Sequence, residues 1–146
     1  MIYTEMTKKA LRLACRAHEG QLDRCGLPYI FHPYHLAEQM DDEVSATVAL
    51  LHDVVEDTPY TLDDLRAEGF PEEVLDGVAL LTHDPAVPYM DYVRRIRSSP
   101  LATKVMLADL RHNSDITRLD TVTERDLARL EKYRAAARLL TEGDGA

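Results

Sequence analysis

The chain has 146 residues, 45% hydrophobic and 29% charged, an ordinary soluble composition long enough to bury a core without disulfide staples. Seventeen basic against 26 acidic residues give a formal charge of −9, which argues against nucleic-acid or anionic-membrane partners, since both need a basic footprint. With no Trp and two Phe, a stacking platform for single-stranded bases is equally unsupported.

Met1 to Glu5 lack the basic and apolar regions of a signal peptide. No run reaches the roughly 18 apolar residues of a membrane span, so a cytoplasmic protein is expected. The first predicted helix runs from Thr4 as N-cap to His18, with Leu11, Ala14, Cys15 and His18 on one stripe and Cys15 buried. Neither Cys15 nor Cys25 has metal-ligand or disulfide-framework spacing. Gly20 to Pro33 reads as a loop, followed by a short helix over Leu36 to Met40. Asp41, Asp42 and Glu43 then place carboxylates at a helix start, where the macrodipole favours them. That helix is predicted from Val44 to Glu56, ending before Thr58-Pro59.

Thr61 with Asp64 forms a capping-box pattern for a helix ending near Gly69, and Pro71 suits the first position of a helix through Val74, Val78 and Leu81. Asp84 to Pro88 is a break too short to be an interdomain linker. Helices are predicted over Met90 to Arg97 and Leu101 to Asn113. A last helix starts at Thr123, with Leu127, Leu130, Ala137 and Leu140 on one face. The expectation is an all-α, compact bundle of seven or eight helices forming a single domain over 1–140, with 141–146 a frayed C-terminal tail. Charge is uneven: residues 1–93 carry −12 and residues 94–146 carry +3.

The segment from Val44 to Leu51 is apolar almost all round, the signature of a core helix, yet His52, Asp53, Glu56 and Asp57 follow at once. On a continuous helix these four lie within an arc of about 140°. Carboxylates that close lose hydration and repel one another unless a cation compensates. A divalent metal needs further donors, and two stand beside apolar runs: His32 in Tyr29-Ile30-Phe31-His32-Pro33, and Asp109 after Val105 to Ala108. Two His and two Asp with open positions suit Mn²⁺, Fe²⁺ or Zn²⁺.

The order His32…His52-Asp53…Asp109 resembles the HD superfamily of metal-dependent phosphohydrolases. The finer likeness is to the hydrolase domain of the RelA/SpoT alarmone enzymes and their small stand-alone relatives. Ala17-His18-Glu19-Gly20-Gln21, Gly26 to Pro33, Leu50 to Thr58 and Leu107-Ala108-Asp109…His112-Asn113 carry it, spanning roughly residues 10 to 120. The resemblance implies metal ligands His32, His52, Asp53 and Asp109, with Mn²⁺ the usual ion. It implies that Glu56 and Asp57 position or deprotonate the attacking water, and that Asn113 contacts the nucleotide. The implied activity is guanosine 3′,5′-bis(diphosphate) 3′-pyrophosphohydrolase; the alternatives are an HD phosphatase of another nucleotide or phosphoester, and a non-catalytic nucleotide-binding module.

The chain departs from that pattern where an Arg-Lys pair is usual and Asp23-Arg24 stands, leaving Arg24 as the substrate-binding cation. Met106 replaces a usual Lys, and Asp115 stands where Arg is frequent. Arg94, Arg95 and Arg97 form either a solvated helix face or an anion funnel. His18 is expected to tie the Gly20 loop to the fold, His35 to lie at the surface or behind a ligand, His112 to lie behind the metal site, and His83 to take no part in chemistry. The expected partner is a small nucleotide; the oligomeric state is open.

Overall fold

The computed structural model describes residues 1–142, and all its regular elements are helical. Helix α1 (Glu5–Ala17) starts at a capping box in which the Thr4 hydroxyl accepts from the Thr7 N–H. Its buried face is Thr7, Ala10, Leu13 and Ala14, so Cys15 is exposed rather than buried. The stripe is rotated because Leu13 and Ala10 turn inward onto the next long helix.

Helix α2 (Phe31–Glu38) starts five residues earlier than predicted. Pro33 lies in its first turn, where no intrahelical N–H is required, so the proline marks a helix start and not a loop end. The preceding loop is a short hairpin. Leu22 and Pro28 form an isolated bridge, and the Asp23 N–H donates to Leu27 O at 2.8 Å. Gly26, at φ +79, makes the turn that a side chain would strain.

Helix α3 (Glu43–Leu51) is the centre of the fold. Asp42 caps it by accepting the Ser45 N–H at 2.7 Å, and every residue from Ser45 to Leu51 is buried. It packs against α1 and α2 on one side, and on the other against α6 (Glu72–Leu81) and α8 (Pro100–Asn113). Each fully buried Leu or Val there contributes roughly 1.5–3 kcal/mol. Gly77 permits the close approach of α6, since a Cβ at that position would lie 3.1 Å from a Val48 methyl.

The predicted helix over 44–56 is broken. The residues after α3 adopt a turn at His52-Asp53, Asp53 having φ −102 and ψ −2, and a single helical turn α4 (Val54–Asp57) follows. The break divides what the sequence pattern reads as one helix face.

Helix α5 (Leu62–Ala67) has the predicted Thr61–Asp64 capping box, and Pro71 is the N-cap of α6, one place before its predicted position. Helix α7 (Tyr89–Ile96) follows the Asp84–Pro88 break, and Ser99 caps α8. Beyond a 3-10 turn (Ile116–Arg118), α9 (Glu124–Glu142) packs on α7 and α8. Its buried residues are Ala136, Leu139 and Leu140, whereas Leu127 is exposed. The helix buries only its C-terminal half because its N-terminal half borders the cleft described below. It continues through Glu142, past the predicted boundary at 140; the rest of the predicted tail, 143–146, lies outside the described residues. No helix among the described residues is long and apolar enough to cross a membrane.

Candidate metal centre and substrate cleft

Three elements converge on one point. Helix α2 brings His32, the break after α3 brings His52 and Asp53, and the middle of α8 brings Asp109. His32 Nε2 lies 2.8 Å from Asp109 Oδ1 and 4.0 Å from Asp53 Oδ2; His52 Nε2 lies 2.9 Å from Asp53 Oδ2 and 3.5 Å from Asp109 Oδ1. Neighbouring donors around an ion bound at about 2.1 Å stand about 3 Å apart, so these spacings suit a shared cation. Donor atoms of His32, His52 and Asp109 all lie within 4.8 Å of one another, while Asp53 also groups with Glu56 and Asp57. The structure thus brings all four predicted donors together, with Asp53 joining the two sets.

Tautomer logic strengthens the fit. His52 Nδ1 lies 2.6 Å from the Ala49 carbonyl and must carry its proton there. His52 Nε2 is then the atom that faces the Asp53 and Asp109 carboxylates, buried and without a well-directed hydrogen-bond partner among the described residues. His32 Nδ1 lies 2.7 Å from His112 Nδ1, and the two rings stack at 9°. Burial, then the Arg118 and His32 charges, push the His112 pKa down to about 4, so it is neutral and able to accept. Such partners behind a ligating imidazole fix its orientation.

The field at the centre is negative. Burial disfavours charge on His52, but Asp53 and Asp109 outweigh it and raise its pKa well above the usual value, so positive charge is favoured at this point whether a proton or a metal ion supplies it. Burial also opposes charge on Asp109, yet His32 and His52 hold its carboxyl below the usual range. Tyr29 donates its hydroxyl proton to Asp53 Oδ2, and burial with the Asp53 charge keeps that phenol protonated. The donor set and its field fit a divalent cation.

Glu56 and Asp57 project from the single turn α4 toward solvent beside this centre. Burial raises both pKa values, with the Asp53 charge adding to each. Glu56 Oε1 accepts the His83 backbone N–H at 2.6 Å. His83, which the sequence leaves without a role, therefore orients a candidate base, and its ring stacks on Tyr92.

Two adjoining cavities, about 270 and 230 Å³, share Arg24, Tyr29, Asp57 and Asn113 in their walls. The first, between the 20–30 hairpin and the 116–129 segment, mixes Leu22, Ile116 and Leu119 with Arg118 and Arg129. The second lies over the metal donors, bounded by His83, Tyr89, Tyr92, Tyr133 and Lys132, with Met106 at its floor. Asn113 donates to Asp109 Oδ1 at 3.1 Å, so it faces both centre and cleft. Arg24 reaches Tyr133 Oη at 3.5 Å.

Of the two readings open for Arg94, Arg95 and Arg97, the anion funnel has no support here, since they line neither cavity. Arg118, Arg129 and Lys132 supply the cations instead, from a segment with no motif to mark it. His35 is exposed and packs its ring 4.2 Å from that of His112.

No protein-family model matches the chain. It is 44% identical over 75 residues to a guanosine-3′,5′-bis(diphosphate) 3′-pyrophosphohydrolase of Haemophilus influenzae, covering 47% of this chain and 11% of that protein. A GTP pyrophosphokinase of Myxococcus xanthus is 33% identical across 86% of this chain and 19% of its own length. The bifunctional (p)ppGpp synthase/hydrolase SpoT of Escherichia coli is 47% identical across 40% of this chain and 9% of its own. The chain thus spans a fifth or less of these curated relatives. Among solved structures, one described as a metazoan ortholog of SpoT that hydrolyzes ppGpp shares the fold, with TM-score 0.75 and 23% identity over 98% of this chain and 87% of that one.

Proposed function

We propose that this chain, an HD domain of the RelA/SpoT type, is a metal-dependent hydrolase that removes the 3′-pyrophosphate from guanosine 3′,5′-bis(diphosphate). The observation that carries the reading is the buried His52 Nε2 set among Asp53, Asp109 and His32, under a cleft to which Arg24 and Lys132 contribute cations. The pyrophosphohydrolase and synthase/hydrolase names of the relatives support the choice of substrate.

His32, His52, Asp53 and Asp109 would hold one divalent ion, Mn²⁺ by family likeness and Fe²⁺ or Zn²⁺ as alternatives. Such an ion polarises a phosphoryl oxygen and makes a water more acidic. Glu56 and Asp57, with raised pKa values, hold the proton that the attacking water gives up. The water oxygen bonds to phosphorus, the bond to the ribose 3′-oxygen breaks, and that oxygen takes up a proton as pyrophosphate leaves. Arg24 and Lys132 face the phosphate end, and Asn113 orients the substrate beside the centre. The half-apolar first cavity suits the nucleobase.

A second reading, hydrolysis of another nucleotide, draws support from that same cavity. Asp23, Asp115 and Asp126 balance Arg24, Arg118 and Arg129 in its wall, so it does not demand a highly anionic ligand. Purified Mn²⁺-loaded protein offered a nucleotide panel decides between them. Pyrophosphate released fastest from guanosine tetraphosphate supports the first reading; faster release from another nucleotide supports the second. Binding without release from any substrate would identify a nucleotide-binding module.

A further inference from the structure

His18 and Gln21, two positions of the Ala17–Gln21 motif, are left unused by that chemistry. His18 is 3% exposed at the C-cap of α1. Gln21 Nε2 donates to the Asp57 carbonyl at 3.0 Å, across 36 residues of sequence. A carbonyl only accepts, so the amide nitrogen of Gln21 must face Asp57 and its oxygen must face His18. That oxygen lies 2.8 Å from His18 Nδ1, which therefore carries the imidazole proton. His18 Nε2 is then a lone-pair acceptor, buried and without a hydrogen-bond partner among the described residues.

What Gln21 holds is otherwise weakly held. Helix α4 has one turn, and Asp57 is its last residue, so the Asp57 carbonyl has no partner further along a helix. The Gln21 amide satisfies it and sets where the Asp57 side chain leaves the backbone. The His18 ring is fixed in turn against Tyr29, at 4.8 Å between ring centroids, and Tyr29 is the phenol that donates to Asp53.

We propose that His18 is a positioning residue for the hydrolysis: neutral, with its proton on Nδ1, it holds the Gln21 amide in the one orientation that anchors Asp57 beside the metal centre. The inference rests on the hydrolase reading for its catalytic meaning, but the relay itself is visible without turnover. Nitrogen NMR of ¹⁵N-histidine-labelled protein loaded with diamagnetic Zn²⁺ reads the imidazole tautomer directly. A neutral ring protonated at Nδ1 is expected; protonation at Nε2, or an imidazolium at neutral pH, overturns the relay.

Kinetics test its role. His18→Ala and Gln21→Ala should lower kcat about tenfold or more while KM and metal content stay near wild type. His18→Asn places an amide N–H close to the position of Nδ1–H and should restore most of the lost kcat. If His18→Asn melts like wild type but is as slow as His18→Ala, the anchoring role is wrong. A wild type that turns over no nucleotide sinks the hydrolase reading instead, and the tautomer then judges the relay alone.

Discussion

Asp23 points its carboxylate at Arg118, Oδ2 to Nη2 at 3.2 Å, and not at the substrate cleft whose wall it shares. Its other oxygen accepts the N–H groups of Cys25 and Leu27 at 2.8 and 3.0 Å, closing the hairpin that presents Arg24. Arg118 in turn donates to the His112 carbonyl at 2.9 Å, tying the hairpin to the end of α8. An acid at this place is thus a turn-forming and pairing group whose charge is neutralised locally. The departure from the alarmone-hydrolase pattern is smaller in space than in sequence.

Removing that group has a defined cost. Asp23→Ala should destabilise the fold by about 1–3 kcal/mol, since two N–H donors and a partly buried guanidinium lose their acceptor. Asp23→Asn keeps the Oδ1 acceptor and should cost about half as much. Urea unfolding of the three proteins measures the difference, and equal stability of Asp23→Ala and wild type would refute the assignment.

Metal binding should be read as stability as well as activity. At a free Mn²⁺ concentration a hundredfold above Kd, binding to the native state adds about 2.7 kcal/mol. Chelation should lower Tm by the corresponding amount in wild type. Asp53→Asn and Asp109→Asn should show little metal by elemental analysis and little response to chelator. Full metal occupancy in either variant would remove that residue from the ligand set.

Glu56→Gln is expected to keep its metal and its Tm but to lose about 10²–10⁴-fold in kcat, the usual contribution of a positioned base. The base works deprotonated, and burial followed by the Asp53 and Asp57 charges raises its pKa. Activity should therefore fall as pH drops through a value above the roughly 4.3 of an ordinary glutamate. A pH profile of kcat/KM on wild type locates this limb. Unchanged turnover in Glu56→Gln would assign the proton to another group.

Asp42 supplies a stability test remote from the site. The Ser45 N–H it accepts, with a lesser pull from Lys104, holds its carboxyl below the ordinary range. A folded-state pKa below the unfolded one means the stabilisation is present above about pH 4 and is lost as pH falls through the folded value. Asp42→Ala should cost about 1 kcal/mol at neutral pH. The gap from wild type should narrow as pH falls from the unfolded pKa through the folded one, which denaturant titrations at pH 7 and at or below pH 3 would show.

Much of the fold was legible in short-range pattern. Thr4, and Thr61 with Asp64, mark helix starts because capping chemistry acts over three or four residues, and Pro88 marks another because its ring cannot continue a preceding helix. The all-apolar stretch before His52 identified the central helix because a helix buried on every side needs no polar face. Errors fell where burial depends on a distant partner. Cys15 and Leu127 fit an apolar stripe, yet α3 takes up a different face of α1, and α9 leaves its first half beside the cleft.

The sequence by itself determined the donor types, their order along the chain and the helices that carry them, since those depend on residue chemistry and local periodicity. Tertiary structure alone decided how they meet. The turn at His52-Asp53 places Asp53 between the histidines on one side and Glu56 and Asp57 of α4 on the other. His83 on Glu56, Arg118 on Asp23 and Gln21 on the Asp57 backbone join residues 27, 95 and 36 positions apart. No periodicity encodes such contacts, because they exist only once packing has brought separate helices together.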